Sequence, residues 1–293
     1  MSEKYIHLVL SGGLGNQLFQ YAFAKSLSIK YNLPISIDKG FIERDQSRVY
    51  KLNLFGVEER IVPDYLKMAN WFWRAFRKIK IDKLFLKHVL KYDFHFQLPL
   101  DLEYKGDQVI YNSKSILIWG YWQNEKYFDN IKHDINDYIK INFKFKFEFE
   151  SKYKYIAVHI RKGDYISNSI YSSIYNNLSS EYYLEALNLI KSEFNSRLKI
   201  ILFSDSDIVD FSQKLEKFGF DVIVSNKLFN DELFDFWLMS KCDYNIIANS
   251  TFSWWAAYLN SNPEKVIFCP RNYFLDKSLN SKLSLYPNNW IKL

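Results

Sequence analysis

The second half of the chain sets the strongest limit on its fold, because short apolar runs alternate there with stretches of helical character. The apolar runs fall at residues 155–160, 199–203, 222–224, 244–248 and 266–269, and residues 181–194, 208–218, 232–241 and 252–259 between them read as helices. One of these, "LSSEYYLEALNLI", opens with serine caps before an i, i+3, i+4 apolar stripe. A strand written as an unbroken apolar run is covered on both faces, and strands joined by helices pair in parallel. The pattern therefore predicts a doubly wound α/β sheet.

The first half begins in the same way. Residues 5–10 read as a strand, "SGGLGN" as a turn, 17–31 as a helix and 35–37 as a second strand, followed by a less regular stretch to about Leu117. The boundary is expected near "FKFKFEFESKYK", residues 143–154, which divides the chain into domains 1–150 and 151–293. The strict alternation of that stretch also suits a short surface strand. Two doubly wound domains would place a ligand cleft between the carboxyl ends of their sheets.

Composition narrows the function. The chain has 293 residues, 48% hydrophobic and 25% charged, as in ordinary globular proteins. A net charge of +6, from 39 basic and 33 acidic residues, is too small to argue for nucleic acid. The two cysteines, Cys242 and Cys269, have no metal-ligand spacing and read as small buried residues. The N-terminus lacks the basic head and apolar core of a signal peptide, and no apolar run reaches about 18 residues, so no membrane span is expected. Residues 65–91 differ from the rest, with eight Lys or Arg against one acid, Asp82, interleaved with aromatic residues. Such a segment suits either an anionic membrane surface or packing of its apolar face on the core.

Four stretches carry chemistry. In "LSGGLGNQLFQ", residues 10–20, glycines between strand and helix let backbone approach an anion at the helix N-terminus. The GK[ST] of a P-loop is absent, and Leu18 stands where a dinucleotide fold needs its third glycine. A tight turn accounts for the glycines but leaves Asn16 and Gln17 unexplained. In "YIAVHIRKGDY", residues 155–165, His159 and Arg161 share a face at a strand end. The planar fork of Arg161 suits a diphosphate, and Asp164 suits orienting it or accepting a proton. In "ILFSDSDIVDF", Asp205 and Asp207 read as helix caps or as ligands of a hard cation. In "NIIANSTFSWWAAYLN", Ser250, Thr251, Phe252 and Ser253 open a helix, where hydroxyls and N–H groups form a phosphate cradle without a cation. An N-cap cluster is the plain alternative.

Taken in order, "GGLGNQLFQYAFAKSL", "WGYWQNEKYF", "HIRKGDY", "FSDS" and "LMSKCDYNIIANSTFSWWAAYLN" resemble the alpha-1,2-fucosyltransferases of glycosyltransferase family 11, bacterial type. The resemblance implies a GT-B-like fold of two Rossmann-type domains facing a central cleft, with an acceptor-side first domain and a GDP-fucose-binding second. It implies inverting transfer of L-fucose from GDP-beta-L-fucose to a galactose of a glycan, with neither metal nor cofactor. By motif position, Arg161 would hold the donor's beta-phosphate, and His159 and Asp205 would contact guanine or ribose. Ser250, Thr251, Phe252 and Ser253 would line the diphosphate, and Gly13, Asn16 and Gln17 would close the cleft. Lys162 stands where relatives commonly carry a second Arg, and Ser206 where they carry a second acid.

Asp164, Asp38 and Glu125 are candidate general bases, with Asp164 preferred; the alternative is a dissociative mechanism in which the departing phosphate takes the proton. The same implication places the protein in the cytoplasm, at the inner face of the membrane, in O-antigen or capsule synthesis. The competing readings are a metal-dependent transferase using Asp205 and Asp207, and a non-catalytic nucleotide-sugar-binding module.

Overall fold

The computed structural model describes residues 4–64, 67, 92–97, 103–104, 106, 115–163, 169–193 and 197–293. Asp164 and, Lys67 apart, the basic aromatic segment 65–91 lie outside the described residues. The chain divides into two compact units, Met1–Asn142 and Phe143–Leu293. The division precedes the expected one because the alternation of "FKFKFEFE" is used by the second unit. Phe145 packs on Phe229, Phe234 and Trp237, and Phe147 and Phe149 pack on Tyr155. Lys144, Lys146 and Glu148, on the other side of the extended segment, are exposed.

Unit 1 holds a parallel sheet of strands β1 (Ile6–Val9), β2 (Ile35–Asp38), β3 (Arg60–Ile61), β4 (Tyr92–Phe96) and β5 (Ser115–Trp119), in the order β3-β2-β1-β5-β4. Between β1 and β2 runs the helix Leu14–Tyr31, which buries residues on nearly every side. Such a helix needs cover all round. Part of that cover comes from the 3-10 stretch Glu125–Asp134, where Phe128 packs near Phe19 and Asn130 exchanges hydrogen bonds with Ser26. The helix ends at Asn32 in the left-handed conformation (φ 51°), which asparagine tolerates better than most residues.

Unit 2 holds β6 (Tyr153–Ile160), β7 (Arg197–Ser204), β8 (Asp221–Val224), β9 (Tyr244–Ile246), β10 (Val266–Cys269) and β11 (Ile291–Lys292), also all parallel. Their order is β11-β10-β9-β6-β7-β8. The chain thus winds outward from β6 to β8, returns to β9 beside β6, and winds outward the other way. That reversal is the topological switch point of a Rossmann-type sheet, and the crevice beyond the carboxyl ends of β6 and β9 is where such sheets take ligands. Ile156, Val158, Ile200, Leu202 and Ile246 pack against Ala186, Leu187 and Ile190 of the helix Ser180–Glu193. The expected α/β class of two Rossmann-type, GT-B-like units is therefore the one found.

Candidate functional site

In unit 2 the pairing of Ile160 with Ser204 makes the ends of β6 and β7 flush. The residues just beyond meet. One oxygen of Asp205 accepts from the backbone N–H groups of Lys162 (3.0 Å) and Gly163 (2.9 Å). The other lies 3.1 Å from Nε of Arg161. Burial opposes ionisation of Asp205, but the two N–H donors and the guanidinium outweigh it and hold the carboxyl below its usual range. Gly163 is required by this contact, since a Cβ there would sit 2.6 Å from an Asp205 oxygen. Asp205 thus faces the loop that follows β6, where the resemblance sets it against guanine or ribose. Its neighbour Asp207 accepts from the N–H of Val209, the first residue of the helix Val209–Lys217, whose N-cap is Ile208.

His159 is buried beside this pair. Burial, reinforced by Arg161, pushes its pKa down to about 3, so the imidazole is neutral at physiological pH. Its Nδ1 is enclosed without a hydrogen-bond partner among the described residues, a rare state for a buried polar atom. The ring stands 6.1 Å from that of Phe252, which bridges to Phe236 at 5.4 Å.

Phe252 belongs to the helix Thr251–Tyr258, which begins beyond β9. Ser250 caps it, its hydroxyl accepting from Phe252 N–H, and buried Ser253 donates to the Ser250 carbonyl. Thr251 and Phe252 keep partial exposure. The helix is anchored along its length. Trp254 and Trp255 are fully buried, and Trp254 donates to the Leu285 carbonyl. At the far end Lys265 donates to the carbonyls of Ala257, Tyr258 and Asn260, complementing the negative end of the helix. The aromatic run in "STFSWWAAY" is therefore the anchor that fixes the helix start.

Within unit 1 the glycine turn follows β1. Gly12 has φ +80°, and a Cβ there would lie 2.5 Å from the Asn16 amide nitrogen. Gly13 is the N-cap of its helix and provides no side-chain cap. The Arg48 guanidinium lies beside it, 3.6 Å from where a Cβ would stand. Gln17, fully buried, donates to the carbonyls of Gly12 and Val49 and accepts from Lys51 N–H. Gln20 accepts from Ser11 N–H and donates to Ser11. The polar pair that the sequence left unexplained is thus part of the turn: Gln17 shapes backbone, while Asn16 stays partly exposed.

Asp38 and Glu125 occupy different settings. Asp38 is fully buried, 3.1 Å from His7 Nε2, and accepts from Gly40 N–H. That is a structural placement, contrary to a role as general base at an exposed hydroxyl. Glu125 lies in the first turn of its 3-10 stretch. Among the described residues no cluster of three or more His, Cys, Asp or Glu could hold a metal ion.

Compared with known proteins, the chain matches the description "Glycosyl transferase family 11" over residues 5–293. The chain belongs to that family. It is 29% identical over 295 residues to an alpha-1,2-colitosyltransferase of Escherichia coli, covering 97% of both chains. It is also 29% identical to the O-antigen biosynthesis glycosyltransferase WbnK of Escherichia coli, covering 97% of this chain and 99% of that protein. Among solved structures it resembles an Arabidopsis thaliana FUT1 mutant in complex with GDP, with a TM-score of 0.56 at 12% identity, over 92% of this chain and 70% of that one. This last likeness is one of fold.

Two residues of this family member escape a reading of sequence. Asp235, on the helix Glu232–Met239, has its pKa pushed up to about 6 by burial, with Asp231 and Glu232 adding to it. Its partner is the Ser225 hydroxyl, just beyond β8. A carboxyl among the apolar residues of "ELFDFWLM" was the available signal. The other is Gln123, whose amide nitrogen donates to Asn16 Oδ1 at 2.8 Å.

Proposed function

We propose that this family 11 chain transfers L-fucose from GDP-beta-L-fucose to the 2-hydroxyl of a terminal galactose on a glycan, with inversion and without a metal. The observation that carries the reading is the Arg161–Asp205 pair at the switch-point end of β6, with both side chains about a quarter exposed. Asp205 fixes the guanidinium, and the guanidinium presents paired donors to a diphosphate. In the reaction the acceptor oxygen bonds to C1 of the sugar as the C1–O bond breaks, and that electron pair leaves with GDP. Arg161 and the start of the helix Thr251–Tyr258 stabilise the charge that develops on the leaving group more than the ground state.

The roles divide accordingly. Arg161 binds the diphosphate, with Thr251 and Phe252 beside it and Ser250 and Ser253 fixing the helix start. Neutral His159 faces the nucleoside, and Asp205 positions the loop. Gly13 and Asn16 contribute from unit 1, on backbone that Gln17 shapes. Asp164 takes the acceptor proton or orients Arg161. Asp164→Asn separates these roles: lost turnover with intact GDP-fucose binding supports the base, and lost binding the orienter.

Metal independence is supported by the donor chemistry of Asp205 and Asp207. Asp205 is engaged by two N–H groups and a guanidinium, Asp207 by Val209 N–H. A cation at Asp205 would sit against Arg161. A second reading follows from the similarity to a colitosyltransferase: the donor sugar is colitose, which is fucose without its 3-hydroxyl. Contact of residues 65–91 with anionic lipid at the cytoplasmic face is a separate proposal, read by vesicle co-sedimentation.

The deciding experiment incubates the protein in EDTA with GDP-fucose or GDP-colitose and a panel of beta-galactosides. Product mass and linkage are then measured. An alpha-1,2-fucosylated galactoside is expected. A colitosylated product alone selects the second reading, and no product from either donor refutes both.

A further inference from the structure

Gln123 lies within the motif "WGYWQNEKYF" but is not among the residues that the resemblance assigns to the donor, and the loop around it is built to unusual constraints. The chain leaves β5 through Gly120, at φ +157°, where a Cβ would lie 2.6 Å from Gln97 Cβ. Gln97 then grips the loop from both sides: its N–H donates to the Trp119 carbonyl, and its side-chain oxygen accepts from Trp122 N–H. Trp122 has φ +54°, a left-handed conformation that a bulky side chain rarely adopts. Its ring is buried against Phe23 and Tyr127, and its indole N–H has no hydrogen-bond partner among the described residues. Asn124 N–H donates back to the Trp122 carbonyl, closing a tight turn with Gln123 at its centre. Asn124 is itself fixed as the cap of the following 3-10 stretch.

A strained residue that also buries an unsatisfied indole, and a glycine that a Cβ would exclude, persist only where surrounding structure enforces them. Within unit 1 the side chain they deliver is Gln123, to Asn16 Oδ1 in the glycine turn. With its oxygen occupied, Asn16 turns its Nδ2 over Gly12, where a Cβ would clash at 2.5 Å. Gln123 thus fixes which end of the Asn16 amide lies beside the Gly12 backbone.

We propose that Gln123 is a positioning residue for sugar transfer: held by the Gly120–Trp122 turn, it sets the orientation of the Asn16 amide. This rests on the donor role given to Asn16 above. In Gln123→Glu the side chain keeps its size but presents only acceptors to Asn16 Oδ1, so the Asn16 amide must turn over.

The test is a double-mutant cycle on the KM of the nucleotide-sugar donor, using whichever of GDP-fucose and GDP-colitose the wild type turns over. Asn16→Ser and Gln123→Leu are each expected to raise that KM about tenfold, with little change in kcat. The double variant should match the worse single variant, because Gln123 acts through Asn16. Gln123→Glu should match Gln123→Leu while its thermal midpoint stays close to wild type, which separates the effect from loss of folding. Additive KM effects overturn the proposal, as does a Gln123→Glu variant that binds donor like wild type. A wild type that turns over neither donor refutes the functional reading and this one together, and is seen before any variant is made.

Discussion

Beyond β1, unit 1 holds its turn with side-chain amides: Gln17 and Gln20 bond backbone on two sides, Gln97 braces the neighbouring loop, and Gln123 holds Asn16. Beyond β6, unit 2 holds its turn with charge, as Asp205 gathers two N–H groups and Arg161 around one carboxylate. Both turns end the central strand of a parallel sheet, so topology alone does not explain the difference. The difference lies in what each turn supplies to the donor proposed for both. An amide scaffold fixes shape without adding charge, whereas a carboxylate that orients a guanidinium creates a site for an anion.

Breaking the charged turn should have the largest effect. Arg161→Ala is expected to lower kcat/KM for the donor by about a hundredfold or more, the scale of one strong electrostatic donor in a transition state. Assays with saturating acceptor check this. Gly163→Ala attacks the same turn indirectly by pushing on the Asp205 carboxylate. A loss of about tenfold, mostly in donor KM, is expected, since Arg161 remains but is less well aimed.

Breaking the amide turn should instead show as instability. Gln17→Leu leaves the Gly12 and Val49 carbonyls and the Lys51 N–H without their side-chain partner. A loss of about 2–4 kcal/mol in denaturant unfolding is expected. The smallest effect sharpens the contrast through pH. Asp235 titrates near pH 6 when folded and near pH 4 when unfolded, so the folded state binds more protons in that window. Its contribution to stability falls as pH rises from about 4 to about 6. Asp235→Asn should therefore stabilise the protein at neutral pH, on the order of 1–3 kcal/mol. A melting series across that pH range measures it.

What the sequence revealed depended on burial. The strands β6, β7, β9 and β10 are covered on both faces, which writes them as apolar runs. The edge strands β3 and β11 are exposed two-residue elements, too short to show any period. In the candidate site, Arg161 and the Ser250–Ser253 cap announced themselves by residue type at the ends of strands. The role of Asp205 did not, because its partners include backbone N–H groups far along the chain, which carry no side-chain signature. Gln123 was hidden for a similar reason: its meaning lies in one amide 107 residues away.

The central claim is that the Arg161–Asp205 turn of unit 2 recognises a diphosphate. Calorimetric titration of GDP and guanosine into wild type and Arg161→Ala tests it most directly. Wild type should bind GDP at least about a hundredfold more tightly than guanosine, since charge-assisted bonds to phosphate supply the difference. In Arg161→Ala that preference should collapse while guanosine binding stays unchanged. A preference that survives the substitution, or an equal loss for both ligands, would contradict the account.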